Sequence, residues 1–266
     1  MPDDTPAALF VPLDDGRLQP TGRTRGPWSE AAQHGGPVCA LLAGAVEEPG
    51  GGRRVVRLTV ELLRPVPLSP VRLEVDPPVG GRSADRVAAR VRDDAGVVVA
   101  EALALRIRTK PVAVPEQTEE PPPWRPEDAR AMGAADLGFL AGRETFLTEG
   151  MEVRFSEGAF DRPGPAVTWF RLRVPVVAGE PTSPLQRVAA AADFGNGISG
   201  LADMQRLLFV NPDLTVAVWR EPEGEWVALE ARSRLEPDGI GGAESALWDT
   251  RGRIGRSYQT LLVSER

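Results

Sequence analysis

The sequence predicts an α+β protein built from two tandem units, each a central helix wrapped by an antiparallel sheet. Three observations predict it. First, Leu214-Thr-Val-Ala-Val-Trp-Arg220 nearly repeats Leu58-Thr-Val-Glu-Leu-Leu-Arg64. The same offset of 156 residues superimposes Val71, Leu73 and Glu74 on Val227, Leu229 and Glu230, then Asp93, Gly96 and Leu105 on Asp249, Gly252 and Leu261. That many identities at one spacing mark a duplicated structural unit. Second, each copy carries one run of small apolar residues suited to a buried helix. Third, the strand candidates are separated by turns too short for parallel crossovers, so neighbours must be antiparallel.

Residues 1–109 form the expected first unit, 110–145 a Pro/Glu-rich connection and 146–266 the second unit. In the first, Phe10 to Thr24 reads as a hairpin around Asp14-Asp15-Gly16, because Asp-Gly is a turn signal. Gly35-Gly36-Pro37 opens the central helix Val38 to Val46, with Pro37 at the first helical position, where a missing N–H costs nothing. Strands follow at Arg54 to Leu63, Val71 to Val75, Ala84 to Arg92 and Val97 to Ile107. Within the connection, Pro126 to Met132 reads as a short helix.

The second unit opens with strands at Met151 to Phe155 and Val167 to Val174. Ser183-Pro184, a cap followed by the favoured first proline, starts a helical segment running to Gly195. The repeat offset sets Asp193 on Pro37, near a helix start, whereas one continuous helix from Pro184 puts Asp193 in its middle; the sequence leaves both open. Strands at Leu214 to Arg220, Trp226 to Leu235, Ala243 to Asp249 and Arg253 to Ser264 complete the unit.

Composition narrows the function. Hydrophobic residues are 42% and charged residues 26%, an ordinary globular mixture. A net charge of −7 removes the usual basic footprint of a nucleic-acid binder, and a phosphate-bearing ligand would need local arginine. Cys39 is the single cysteine and His34 the single histidine, so disulfides, thiolate clusters and histidine metal sites within one chain are excluded and no metal is expected. Met-Pro-Asp-Asp-Thr lacks the pattern of a secretory signal, and no window approaches the roughly 18 apolar residues of a membrane span. A cytoplasmic protein without membrane association is expected. No phosphate loop, dinucleotide fingerprint or Gly-x-Ser-x-Gly elbow is present.

The ordered set His34-Gly-Gly-Pro37, Leu62-Leu-Arg-Pro65, Ala192-Asp193, Trp219-Arg-Glu-Pro222, Asp249-Thr-Arg-Gly252 and Ser257-Tyr-Gln259 resembles the double HotDog acyl-CoA thioesterases, in particular the bacterial type II family. The likeness covers nearly the whole chain outside the connection. It implies a hydrolase of fatty acid metabolism, acting on an acyl-CoA or related acyl thioester, with CoA as part of the substrate and no other cofactor, in a homo-oligomer. In that family an Asp on the second central helix, a Thr or Ser on the following strand and a Gln on the last strand hold the hydrolytic water. Asp193 and Gln259 match the first and third. The family hydroxyl falls on Asp213, with Thr215 two residues on and on the same strand face.

Those residue types suit thioester hydrolysis. A carboxylate within hydrogen-bond reach of water can act as base, and a neutral amide can orient that water. Gly35 and Gly36, with His34 before them at a helix start, suit close approach of a carbonyl and offer N–H donors to a developing oxyanion. At the repeat offset Pro37 and Leu103 replace Asp193 and Gln259, so one composite site is expected, polar from the second unit and walled by the first. Plainer readings exist: Asp193 as a helix cap, Gln259 and Thr215 as ordinary strand residues, Asp213 after Asn211-Pro212 as a turn residue, His34 as a bonded loop residue. Two other functions remain open, a non-catalytic acyl-thioester binder that keeps the fold and an enoyl-CoA hydratase or dehydratase with His34 as base.

Overall fold

A computed structural model describes residues 7–265, apart from 28, 48–50, 116–120, 134, 135, 137, 141 and 202–205. The N-terminal Met-Pro-Asp-Asp-Thr, Trp28 and parts of the Gly-rich loop and of the connection therefore lie outside the described residues. Strands β1 (Phe10–Pro12) and β2 (Leu18–Pro20) form the expected opening hairpin. Asp15 fixes its turn by accepting the Arg17 N–H at 3.0 Å.

Helix α1 (Gly35–Val46) starts two residues earlier than expected, so Pro37 is its third residue rather than its first. The reason is the cap: His34 accepts the Gly36 N–H, and a proline anywhere in the first turn forfeits no intrahelical bond. Its apolar residues are buried on almost every side. Around it run β3 (Arg53–Leu62), β4 (Arg72–Val75), β5 (Val79–Gly80), β6 (Ala84–Arg92) and β7 (Val98–Arg108).

The expected helix at Pro126 to Met132 is absent. A single turn, Asp128 N–H to Arg125 O, leads into β8 (Arg130–Ala131), which pairs with β9 (Met151–Ala159). So short a segment, followed at once by Gly133, cannot sustain an isolated helix, and an open sheet edge offers its backbone better partners. The remaining elements are β10 (Arg162–Leu172), α2 (Pro184–Ala192), α3 (Gly195–Ile198), β11 (Leu207–Val210), β12 (Asp213–Val218), β13 (Val227–Leu235), β14 (Ile240–Trp248) and β15 (Arg253–Glu265).

Every pairing in the main sheet is antiparallel. Its order is β4-β6-β7-β3-β12-β15-β14-β13-β10-β9-β8, with β5 on β6 and β11 on β15. One sheet thus wraps both helices, the double HotDog arrangement. The two units join where β3 pairs with β12, Thr59 opposite Thr215, flanked by Leu58 with Val216 and Val60 with Leu214. Each flanking pair exchanges under the repeat offset, so a pseudo-twofold axis passes between the two threonines, whose hydroxyls are 3.3 Å apart.

The repeat is not uniform. The turn after β6 closes from Asp93 N–H to Val97 O, whereas its copy closes from Asp249 N–H to Gly252 O, one residue shorter. The ladders beyond that turn are shifted accordingly: Thr59 faces Leu103, whereas its copy Thr215 faces Tyr258. The counterpart of Gln259 is consequently Ala104, not Leu103. The helix caps, His34 and Ser183, are also offset differently from the strands, so Asp193 is not the counterpart of Pro37.

Candidate active site

The first unit passes a register irregularity between Val55 and Arg57 without interrupting β3. In the second unit the equivalent strand is broken into β11 and β12, both paired with β15, by Asn211-Pro212. Proline has no N–H to give a ladder, so the chain leaves the sheet there. Asn211 turns inward, and its Nδ2 donates to Asp193 Oδ1 at 2.8 Å and to the Asp213 carbonyl at 3.1 Å.

Asp193 lies at the C-terminal cap of α2, just before the chain bends into α3. It is neither in a first helical turn nor in mid-helix, because Gln259 on β15 stabilises the break between the two helices. The Gln259 Oε1 accepts the Asn196 N–H at 3.0 Å; its Nε2 donates to the Asp193 carbonyl at 3.1 Å and approaches Asp193 Oδ1 at 3.5 Å. Asp193 and Gln259, 4% and 1% exposed, therefore converge. The glutamine amide is engaged with protein groups, which makes it a support for the carboxylate.

The other oxygen of Asp193 meets the first unit. His34 Nδ1 is 2.9 Å from Asp193 Oδ2 and 3.0 Å from the Gly36 nitrogen. These contacts make opposite demands: the amide needs a lone pair on Nδ1, the carboxylate needs a proton there. The proton on His34 thus selects between capping α1 and holding Asp193. The imidazole packs against Phe194 and Phe146, with ring centroids 4.6 and 5.3 Å away. Asn211, Phe146 and Phe194 carried no sequence signal of a site; only Asn-Pro, as a break in a strand, marked the place.

Gly35 and Gly36 have a steric cause. A Cβ on Gly35 would stand 2.7 Å from Asp193 Oδ2, and one on Gly36 would stand 2.7 Å from the Ala190 carbonyl. The first position of α1 can therefore approach the carboxylate only without a side chain. Nearby, burial and then the Asp193 charge push the Cys39 thiol well above its ordinary range, which leaves it inert.

His34, Gly35, Asp193 and Asn211 line one wall of a cavity of about 440 Å³. Its other walls are mostly apolar, including Val38, Leu62, Val66, Phe160, Phe209 and Leu262. Neither Thr215 nor Asp213 reaches it. The Thr215 hydroxyl is committed to Thr59 on the pseudo-twofold axis, and Asp213 Oδ1 accepts the Thr260 N–H at 2.6 Å. Asp213 was a candidate because the family hydroxyl falls there, and Thr215 because it shares that strand face; past the break at Asn211-Pro212 it is Asn211 that reaches Asp193. No group of residues suited to a metal ion occurs among the described residues, and no described helix is long and apolar enough to cross a membrane.

No curated protein sequence matches the chain significantly. Solved structures resemble it in fold. A hot dog protein of unknown function from Alicyclobacillus acidocaldarius aligns with a TM-score of 0.71 at 17% identity, covering 97% of this chain and 96% of that one. A candidate thioesterase II from Thermobifida fusca gives 0.72 at 19%, and an acyl-CoA thioesterase II from Mycobacterium marinum gives 0.64 at 16%, each with the same 97% and 96% coverage. The sequence models of the acyl-CoA thioesterase N-terminal and C-terminal domains match residues 24–107 and 115–263. Together they span most of the chain, in the order of its two units, and the chain belongs to the acyl-CoA thioesterase family.

Proposed function

We propose that the protein hydrolyses acyl-CoA or a related acyl thioester in this cavity. The observation that carries the reading is a buried carboxylate, Asp193, on the wall of a mostly apolar cavity at the start of α1. The acyl chain occupies the apolar part. Asp193 takes a proton from a water placed against the thioester carbonyl, and the first N–H of α1, at Gly35, faces the negative charge that develops on the carbonyl oxygen. Asn211 and His34 orient the carboxylate, and Gln259 fixes the chain break that presents it. Thiolate leaves as the tetrahedral intermediate collapses, and the proton held by Asp193 returns to it.

Incubating the purified protein with short to long acyl-CoA esters and a thiol reagent tests this directly. Free CoA should appear well above an Asp193→Ala control; equal release at every chain length overturns the reading. The His34–Asp193 contact favours a second reading, hydration of an enoyl thioester with His34 as base. Under it His34→Ala abolishes water addition to an enoyl-CoA, and an unchanged rate excludes it.

A further inference from the structure

The Leu62-Leu-Arg-Pro65 motif has an arginine that the reaction does not use. Arg64 lines the cavity, is exposed, and has no carboxylate, carbonyl or aromatic partner for its guanidinium among the described residues. Its main chain is fixed: the N–H groups of Leu63 and Arg64 both donate to the Val99 carbonyl, at 3.0 and 3.1 Å. One residue earlier, the Leu62 N–H donates to the Pro212 carbonyl at 2.7 Å, beside the Asn211 that holds Asp193. The main chain at Arg64 is thus fixed, and its side chain lines the cavity.

A second cation lines the same cavity. Arg25 donates Nε and Nη1 to the Glu30 and Glu144 main-chain carbonyls, at 3.2 and 3.1 Å, and has no carboxylate partner among the described residues. The acid at the rim does not offset these charges. Asp136 is bound by both terminal nitrogens of Arg130, at 2.7 and 2.9 Å. Apart from the buried Asp193, the described walls therefore carry two uncompensated guanidinium groups in a chain whose net charge is −7. This local reversal of sign is what an anionic ligand entering an apolar cavity requires.

Resting on the thioesterase reading, we infer that Arg64, assisted by Arg25, binds the phosphate of the substrate's thiol carrier and so recognises a phosphopantetheine thioester by its charge. A guanidinium gives a phosphate two parallel donors, which a hydrated ammonium does not. Both CoA and a carrier protein present this phosphate, so the chemistry is shared and the test separates the sources.

KM and kcat are measured for one acyl group carried on CoA, on a phosphopantetheinylated carrier protein, and on N-acetylcysteamine, which has no phosphate. Arg64→Ala should raise KM for the phosphate-bearing esters about tenfold or more, as expected for loss of a charged hydrogen bond. KM for the N-acetylcysteamine ester should not move. Arg64→Lys should recover part of the loss. Arg57→Ala, on the outer face of the sheet, removes the same formal charge and should reproduce none of it. A wild-type preference for the CoA ester assigns CoA as the source; a preference for the carrier-protein ester assigns that. An equal KM increase for all three esters, or none for either phosphate-bearing ester, overturns the proposal. Calorimetry with CoA alone keeps the two readings distinct. If CoA binds tenfold more weakly to Arg64→Ala while the wild type hydrolyses no ester, the phosphate site stands and hydrolysis fails. If the wild type turns over and Arg64→Ala binds CoA unaltered, hydrolysis stands and the phosphate site fails.

Discussion

At the residue scale, the site is defined by what surrounds one carboxylate. Asp193 accepts from Asn211 on one oxygen and has His34 Nδ1 2.9 Å from the other, with Gln259 behind it. Asp193→Ala should lower kcat by about 10²-fold or more, the usual contribution of a positioned base. Asn211→Ala removes one donor and leaves the base, so kcat should fall by about tenfold with a smaller change in KM. Steady-state kinetics on both variants checks the ranking, and an Asn211→Ala enzyme with wild-type kcat contradicts the support role. Gly35→Ala brings a methyl to within 2.7 Å of the Asp193 carboxylate and should cost activity before it costs folding. Far-UV circular dichroism alongside the assay distinguishes the two losses.

At the element scale, the two central helices have complementary ends. His34 caps α1 and meets Asp193 at the end of α2; Ser183 caps α2 and meets Glu47 at the end of α1, its hydroxyl donating at 2.5 Å. Only the first junction opens on the cavity, so the second serves stability. Burial raises the Glu47 carboxyl above the ordinary glutamate value of 4.5, and the Ser183 bond offsets part of that rise. The folded chain therefore binds this proton more tightly than the unfolded chain does. Its favourable contribution is complete below the unfolded value and is lost as pH rises through the raised folded one. Glu47→Gln keeps an acceptor for Ser183 and removes the ionisation, so its stability relative to the wild type should improve in urea titrations as pH rises above the ordinary glutamate value of 4.5. Ser183→Ala should cost about 1 kcal/mol, as the loss of a helix cap does.

At the scale of the whole molecule, one polar tie spans distant parts of the second unit. Arg220, just after β12, binds Asp249 through both terminal nitrogens at 2.5 and 2.6 Å, and Asp249 also accepts the N–H groups of Glu223, Arg251 and Gly252. Burial opposes ionisation of Asp249, but Arg220 and the backbone donors outweigh it and hold the carboxyl below its ordinary range. This contribution is present above the unfolded aspartate pKa and disappears as pH falls through the depressed one. Arg220→Ala leaves a fully buried carboxylate short of its main partner and should cost about 3–5 kcal/mol. Equilibrium urea unfolding measures it. The tie also gives the Trp219-Arg-Glu-Pro and Asp-Thr-Arg-Gly motifs one structural purpose, holding the turn after β14 to the end of β12.

Strands β5, β8 and β11 were not marked in the sequence, and the pairing of Asp193 with Gln259 came from the family resemblance. The duplicated architecture, the other strands and the hairpin at Asp14-Asp15-Gly16 were legible in the amino-acid order. Such features are written in local patterns, turn chemistry and a repeat spacing, which one chain displays without reference to its folded contacts. Three others came from packing in three dimensions. A one-residue shorter turn moved the counterpart of Gln259 to Ala104, since a single-residue change reverses every strand face beyond it. Asn211, rather than Thr215 or Asp213, reached the carboxylate because a proline forced the strand out of its ladder. His34-Gly-Gly and Asp193 were expected in one composite site, but the direct contact of the imidazole with the carboxylate came from the shared sheet, which brings the start of one helix to the end of the other.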